Sequence, residues 1–255
     1  MRATRFAGDR AGEPTFSISK PAIRRANWPI VSPFAVSVVV LLASLPTTPV
    51  GADERRAPSG ASMVRIDFES DAIGAAPRAF TPALTGGGGP VIWVIVEDAS
   101  APSGAKVLAE QSADRTRDRF PIAILNDFSA RNVEVSARFK PVSGTVDQAA
   151  GLMVRVVDGN NYYVARANAL EDNVRLYRVV NGRRVQFAGA DVNVPAGRWQ
   201  ELAVRIEGDR ITVSLDGKAL FSATDRTFVE AGRIGLWTKA DSVTHFDEVK
   251  VAALP

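Results

Sequence analysis

From residue 131 onward the hydrophobic pattern of this chain repeats every two residues. Val133, Val135, Ala137 and Phe139 alternate with Asn132, Glu134, Ser136 and Arg138. Leu202, Val204 and Ile206 alternate with Glu201 and Arg205, and Ile211, Val213 and Leu215 with Thr212 and Ser214. Successive side chains of a strand point to opposite faces, so each run places one face in a core and the other toward solvent. Asp158-Gly159, Asn181-Gly182, Gly208-Asp209 and Asp216-Gly217 punctuate the runs. Such dipeptides supply the positive φ angles of tight hairpins. No comparable stretch has a helical period. The pattern predicts an antiparallel all-β domain. About a dozen strands in one open sheet would leave an apolar face wet, so two packed sheets are expected, with a closed barrel as the alternative.

Upstream, "MVRIDF" (63–68) reads as a first strand and "VIWVIV" (91–96) as a buried one. Between them, "TGGGGP" (85–90) resists regular structure and predicts a flexible loop. With no lysine or serine behind its glycines, it lacks the make-up of a phosphate cradle. A fixed-length repeat, which a propeller or solenoid would require, is not found.

The first 52 residues have a different composition. Ala35–Leu45, "AVSVVVLLASL", is uncharged and apolar, preceded by Lys20, Arg24 and Arg25 and followed by Val50-Gly51-Ala52. That order is the order of a secretory signal peptide, and the run is far short of the ~20 residues of a membrane span. Asp53 is the expected mature N-terminus, with an uncleaved anchor as the alternative, and residues 53–62 are expected as a flexible lead-in to a sandwich over 63–255. Six of the 31 Lys/Arg and two of the 28 Asp/Glu lie in the leader, which leaves 25 basic and 26 acidic residues. The basic balance therefore belongs mostly to the leader, and nucleic-acid binding has no electrostatic support. Cysteine is absent, so disulfides, thiolate metal sites and cysteine nucleophiles are excluded. A monomer secreted or periplasmic after cleavage is expected.

Three segments carry a family likeness: 151–184, "GLMVRVVDGNNYYVARANALEDNVRLYRVVNGRR"; 194–228, "VPAGRWQELAVRIEGDRITVSLDGKALFSATDRTF"; and 232–251, "GRIGLWTKADSVTHFDEVKV". Together they resemble the concanavalin A-like lectin/glucanase superfamily, and within it the 3-keto-disaccharide hydrolase domain family, itself similar to glycoside hydrolase family sixteen. The resemblance implies a jelly-roll β-sandwich with a concave face used for saccharides.

The chemistry of the residues narrows this. A retaining glucanase needs two carboxylates ~5–5.5 Å apart, spaced as Glu-x-Asp-x-x-Glu along one strand face. The one approximation, Glu69-Ser70-Asp71-Ala72-Ile73-Gly74, ends in glycine. His245, the only histidine, and Glu171 are weak candidates for a general base in an enzyme acting on 3-keto-glycosides. In such a reaction the keto group acidifies the neighbouring C–H, and no nucleophilic carboxylate is required. Against this, a lone strand histidine more often serves a structural hydrogen bond than a proton transfer, and the structural role is the one expected of His245. No cofactor is expected. Calcium is the one cation the loops could accept, through Glu171, Asp172 and Asn173, which otherwise read as a solvated turn.

Saccharides are recognised by aromatic faces and planar hydrogen-bonding side chains. Alternation puts Tyr162, Val164, Arg166 and Asn168 on one strand face, Arg155 opposite Leu152, Val154 and Val156, and Trp237 and Lys239 opposite Ile234 and Leu236. Arg155, Arg166, Asn168, Trp237, Lys239 and Asp241 are therefore the expected ligand-binding residues, with Trp237 an open ring on a groove wall. The alternative is a wet sheet face of cross-strand charge pairs. Trp93 and Trp199 are assigned to the core. Three functions remain in view: a carbohydrate-binding sandwich, a glycoside hydrolase or lyase, and a structural interaction module.

Overall fold

The computed structural model describes residues 63–255; the expected leader (1–52) and lead-in (53–62) lie outside them. Fifteen strands form among the described residues: β1 Met63–Ile66, β2 Phe80–Gly86, β3 Trp93–Glu97, β4 Lys106–Glu110, β5 Arg119–Leu125, β6 Val133–Ser143, β7 Ala149–Asp158, β8 Asn161–Asn168, β9 Asn173–Val180, β10 Arg183–Asp191, β11 Gln200–Glu207, β12 Arg210–Leu215, β13 Lys218–Thr224, β14 Arg233–Trp237 and β15 Val243–Ala253. No helix forms among them, so none is long and apolar enough to cross a membrane.

Two antiparallel sheets pack into a jelly-roll sandwich; neither closes into a barrel. One runs β13-β12-β11-β6-β15-β4-β3, with β1 also paired to β15. The other runs β10-β9-β8-β7-β14-β5-β2. The period-two runs supply the layer between them. Val133, Val135, Ala137, Phe139, Leu202, Val204, Ile206, Ile211 and Val213 of the first sheet meet Leu152, Val154, Tyr163, Ala165, Ala167, Ile234 and Leu236 of the second. Each fully buried aliphatic or aromatic side chain in that layer stabilises by roughly 1.5–3 kcal/mol. The Asn181-Gly182 and Asp216-Gly217 hairpins form as the dipeptides predict, with both residues of each at positive φ.

Three details depart from the sequence reading. The TGGGGP loop has fixed partners: the carbonyls of Gly89 and Pro90 accept from the buried Arg119 guanidinium, and Gly89 N–H donates to Asp114 at 2.5 Å. Gly88, at φ +93°, has no room for a Cβ, which would lie 2.7 Å from Arg119 Cδ. Trp93 is in the core, but Trp199 is only half-buried on the far side of the eight-stranded sheet. There its Nε1 donates to Ser100 Oγ at 3.1 Å and Lys140 sits 5.3 Å from its ring. The third departure is Arg155. It has φ +49°, inside a register shift between Val154 and Asp158 that breaks the alternation. Its side chain is 1 % exposed and donates to the carbonyls of Arg131, Phe228 and Gly208. Arg155 ties strand ends together.

Candidate functional site on the outer face of the seven-stranded sheet

A second apolar cluster belongs to the seven-stranded sheet alone. Phe120, Ile122, Met153, Tyr162, Val164, Tyr177, Val179 and Trp237 come from β5, β7, β8, β9 and β14, on the face turned away from the other sheet. Their neighbours in sequence, such as Tyr163, Ala165 and Leu236, belong to the inter-sheet core, so alternation alone puts them there. Trp237 and Phe120 stack with ring centroids 5.4 Å apart and an interplanar angle of 18°.

Over this aromatic floor lies a side chain that sequence reasoning did not single out. Arg184, from the start of β10, carries its guanidinium 4.4 Å from the Tyr177 ring, 4.7 Å from Phe120 and 5.6 Å from Trp237. A desolvated cation over one aromatic face contributes about 2 kcal/mol or more, and three faces hold it in place. Trp237 is thus not the open ring expected of a groove wall; it is fully buried.

Arg166 reaches the same Tyr177 ring, at 5.7 Å. It is 2 % exposed, and its Nη2 donates to Glu171 Oε2 at 2.8 Å and to Asn173 Oδ1 at 2.5 Å. Burial pushes the Glu171 carboxyl up, but the Arg166 hydrogen bond and charge outweigh it and leave it below the ordinary range. A carboxylate held ionised by a guanidinium is a poor proton acceptor. Of the oxygens expected for calcium, Glu171 Oε2 and Asn173 Oδ1 accept from Arg166, and Asp172 Oδ1 accepts from Val194 N–H at 3.0 Å. Among the described residues there is no group of three His, Asp or Glu side chains arranged to hold a metal.

Lys239 and Asn168 meet at Asp147. Lys239 Nζ is 2.6 Å from Asp147 Oδ2, and Asn168 Nδ2 donates to Asp147 Oδ1 at 2.7 Å. Asp241 acts one step back. Its carboxylate accepts the N–H groups of Thr145, Val146 and Asp147 and the Thr145 hydroxyl, fixing the loop that carries Asp147. Those donors outweigh burial and hold its carboxyl low.

Of the expected ligand residues, Arg166, Asn168, Trp237 and Lys239 therefore share one face, while Arg155 and Asp241 hold backbone. His245 belongs to neither group. Residues 238–242 cross from β14 in one sheet to β15 in the other, so Trp237 and His245 lie on different sheets. His245 Nδ1 is 2.8 Å from Asp98 Oδ2, beside the Lys140–Asp98 ion pair. Burial lowers the imidazole pKa more than Asp98 raises it. Burial raises the Asp98 carboxyl, but hydrogen bonds from Lys140, His245 and Ser100 pull it far below the ordinary range.

Two properties make the Arg184 face a candidate site. An opening of about 370 Å³ adjoins it, lined by Gly86, Asp118, Phe120, Gly182, Arg183 and Arg184. In addition, two buried donors on this face, Arg166 Nε and Arg184 Nη1, have no acceptor, while the Trp237 indole N–H is directed toward the Tyr162 hydroxyl. Buried polar atoms are paired in most proteins, so two unpaired guanidinium donors on one aromatic floor suit a ligand rich in oxygen acceptors.

No protein-family model matches the chain, and no curated protein matches it in sequence. Solved structures do match its fold. The carbohydrate-binding module CBM66 from Bacillus subtilis is 20% identical, covers 68% of this chain and 96% of its own, and superposes with a TM-score of 0.53. Domain 4 of AbnA, a GH43 extracellular arabinanase from Geobacillus stearothermophilus solved in complex with arabinotriose, is 16% identical over 76% of this chain and 94% of its own, with a TM-score of 0.51. The Bacillus licheniformis β-glucanase is 12% identical over 77% and 99%, also at 0.51. At these identities the likeness establishes the concanavalin-like jelly roll.

Proposed function

We propose that this chain is an exported carbohydrate-binding sandwich that takes a saccharide on the outer face of its seven-stranded sheet. The observation that carries the reading is the pair of acceptorless donors, Arg166 Nε and Arg184 Nη1, over one aromatic floor, with Arg184 lining an opening of about 370 Å³. A sugar ring offers hydroxyl and ring oxygens to such donors, and its C–H faces suit the aromatic floor of Phe120 and Tyr177. The chemistry of the site favours binding over turnover, because Glu171 is tied to Arg166 and His245 lies on the other sheet. That two of the similar structures are a carbohydrate-binding module and an arabinanase domain holding arabinotriose lends support.

The test is a glycan array probed with the full chain and with Arg183→Ala and Arg184→Gln. Binding to a saccharide class that both variants weaken at least tenfold is expected, with Arg205→Gln on the other sheet unchanged. Undiminished binding by both pocket variants would remove this face as the site.

A further inference from the structure

Charge on the candidate face narrows the ligand further, taking the saccharide reading as given. Two guanidiniums, Arg166 and Arg184, lie over the same Tyr177 ring, at 5.7 and 4.4 Å. Arg166 is balanced by Glu171 at 2.8 Å, and Lys239 by Asp147 at 2.6 Å. Among the described residues no carboxylate pairs with Arg184. Its pKa is lowered, first by burial, while the nearby Arg166 charge adds to the lowering. The face therefore holds one cation that aromatic rings cover and that makes no direct ion pair, with Asp147 acting on it only at a distance and Nη1 without an acceptor.

A neutral hydroxyl would fill the hydrogen bond and leave the charge uncompensated. A carboxylate or sulfate satisfies both, because two parallel N–H groups of a guanidinium match two oxygens of the anion. Arg183, exposed, lines the same opening and gives it, with Arg184, two positive charges against the one carboxylate of Asp118. We infer that the ligand is an acidic saccharide whose carboxylate or sulfate group sits against Arg184, with Arg166 Nε as the neighbouring donor.

The experiment measures binding of the full chain to galacturonate, glucuronate and mannuronate trisaccharides, each beside its methyl ester, and to a sulfated galactan oligosaccharide beside its desulfated form. The methyl ester keeps the ring and linkage and removes the charge. The expected result is at least tenfold tighter binding of one acidic member than of its neutral counterpart. That preference should fall at least fivefold between 0.05 and 0.5 M NaCl, as screening requires, and disappear in Arg184→Gln. Arg184→Lys keeps the charge without the planar fork, so it should retain part of the preference. It also serves should the glutamine variant fail to fold. Preference among the uronates assigns a carboxylate ligand, and preference for the sulfated galactan a sulfate ester. Equal affinity for charged and neutral forms, or binding of neutral glycans alone, overturns the inference and leaves the saccharide reading standing. Binding of no saccharide overturns both.

Discussion

Replacing Trp237 by alanine separates the packing observed from the open ring that alternation suggests. The indole is fully buried and stacked 5.4 Å from Phe120, with Arg184 over it at 5.6 Å. A buried aromatic side chain removes about 150–250 Å² from water. At about 25 cal/mol per Å² that corresponds to roughly 4–6 kcal/mol, an upper bound because the unfolded chain already hides part of the surface. Truncations of buried Trp typically cost about 3–5 kcal/mol. For a domain of this size each kcal/mol lowers the thermal midpoint by about 2–4 °C, which gives a fall of about 6–20 °C. Differential scanning calorimetry with urea unfolding as a cross-check reads it, and Trp237→Phe should recover at least half. A loss under about 1 kcal/mol would refute the reasoning and return Trp237 to the surface as an open stacking ring.

Arg155→Met should destabilise by about 3 kcal/mol in urea unfolding, because three partly buried carbonyls lose a charged donor worth ~1–3 kcal/mol each; a change below 1 kcal/mol would mean that the clamp does not hold the strand ends. His245→Gln should leave saccharide affinity within twofold and turnover of any 3-keto-glucoside within tenfold, since His245 lies on the other sheet; a hundredfold loss of turnover would promote the enzyme reading. The imidazole also sets a pH dependence. Its folded pKa is below the usual 6.5, so the stability it contributes is present above pH 6.5 and lost as pH falls through the folded value. Asp98, held far below the ordinary carboxylate range, remains ionised there. His245→Gln should therefore lose less stability than the parent between pH 6.5 and 5, and an unchanged profile would contradict the assignment. N-terminal sequencing of envelope-fraction protein should begin at Asp53, and a start at Met1 would exclude cleavage.

What could be read in the sequence followed from periodicity. Wherever one face of a strand is apolar, as in β6, β11 and β12, alternation assigns it to the core, and the Asn-Gly and Asp-Gly turns place the hairpins. It also grouped Arg166, Asn168, Trp237 and Lys239 correctly as face-mates. It misled at Arg155, where a positive φ and a register shift turn the side chain to the strand ends, because a bulge leaves no mark in an apolar/polar count. Arg184 and Phe120 were missed for different reasons. Phe120 lies in "RFPIAIL", apolar on both faces, where no alternation identifies the outward side. Arg184 is the second of two arginines after a turn, and only the pairing of β10 with β9 carries it over Tyr177. The separation of His245 from Trp237 depended on a five-residue crossing between sheets that reads in sequence as a simple hairpin loop.

Methyl-resolved NMR during saccharide titration tests the central claim most directly, since each sheet carries its own reporters. Ile122, Met153 and Val164 lie on the outer face of the seven-stranded sheet, whereas Val135, Val204 and Val213 lie in the inter-sheet core on the side of the other sheet. The account predicts that the methyls of Ile122, Met153 and Val164 shift first and saturate together with the binding isotherm, while those of Val135, Val204 and Val213 stay in place. Shifts confined to residues of the eight-stranded sheet, with Ile122, Met153 and Val164 unmoved at saturation, would contradict it.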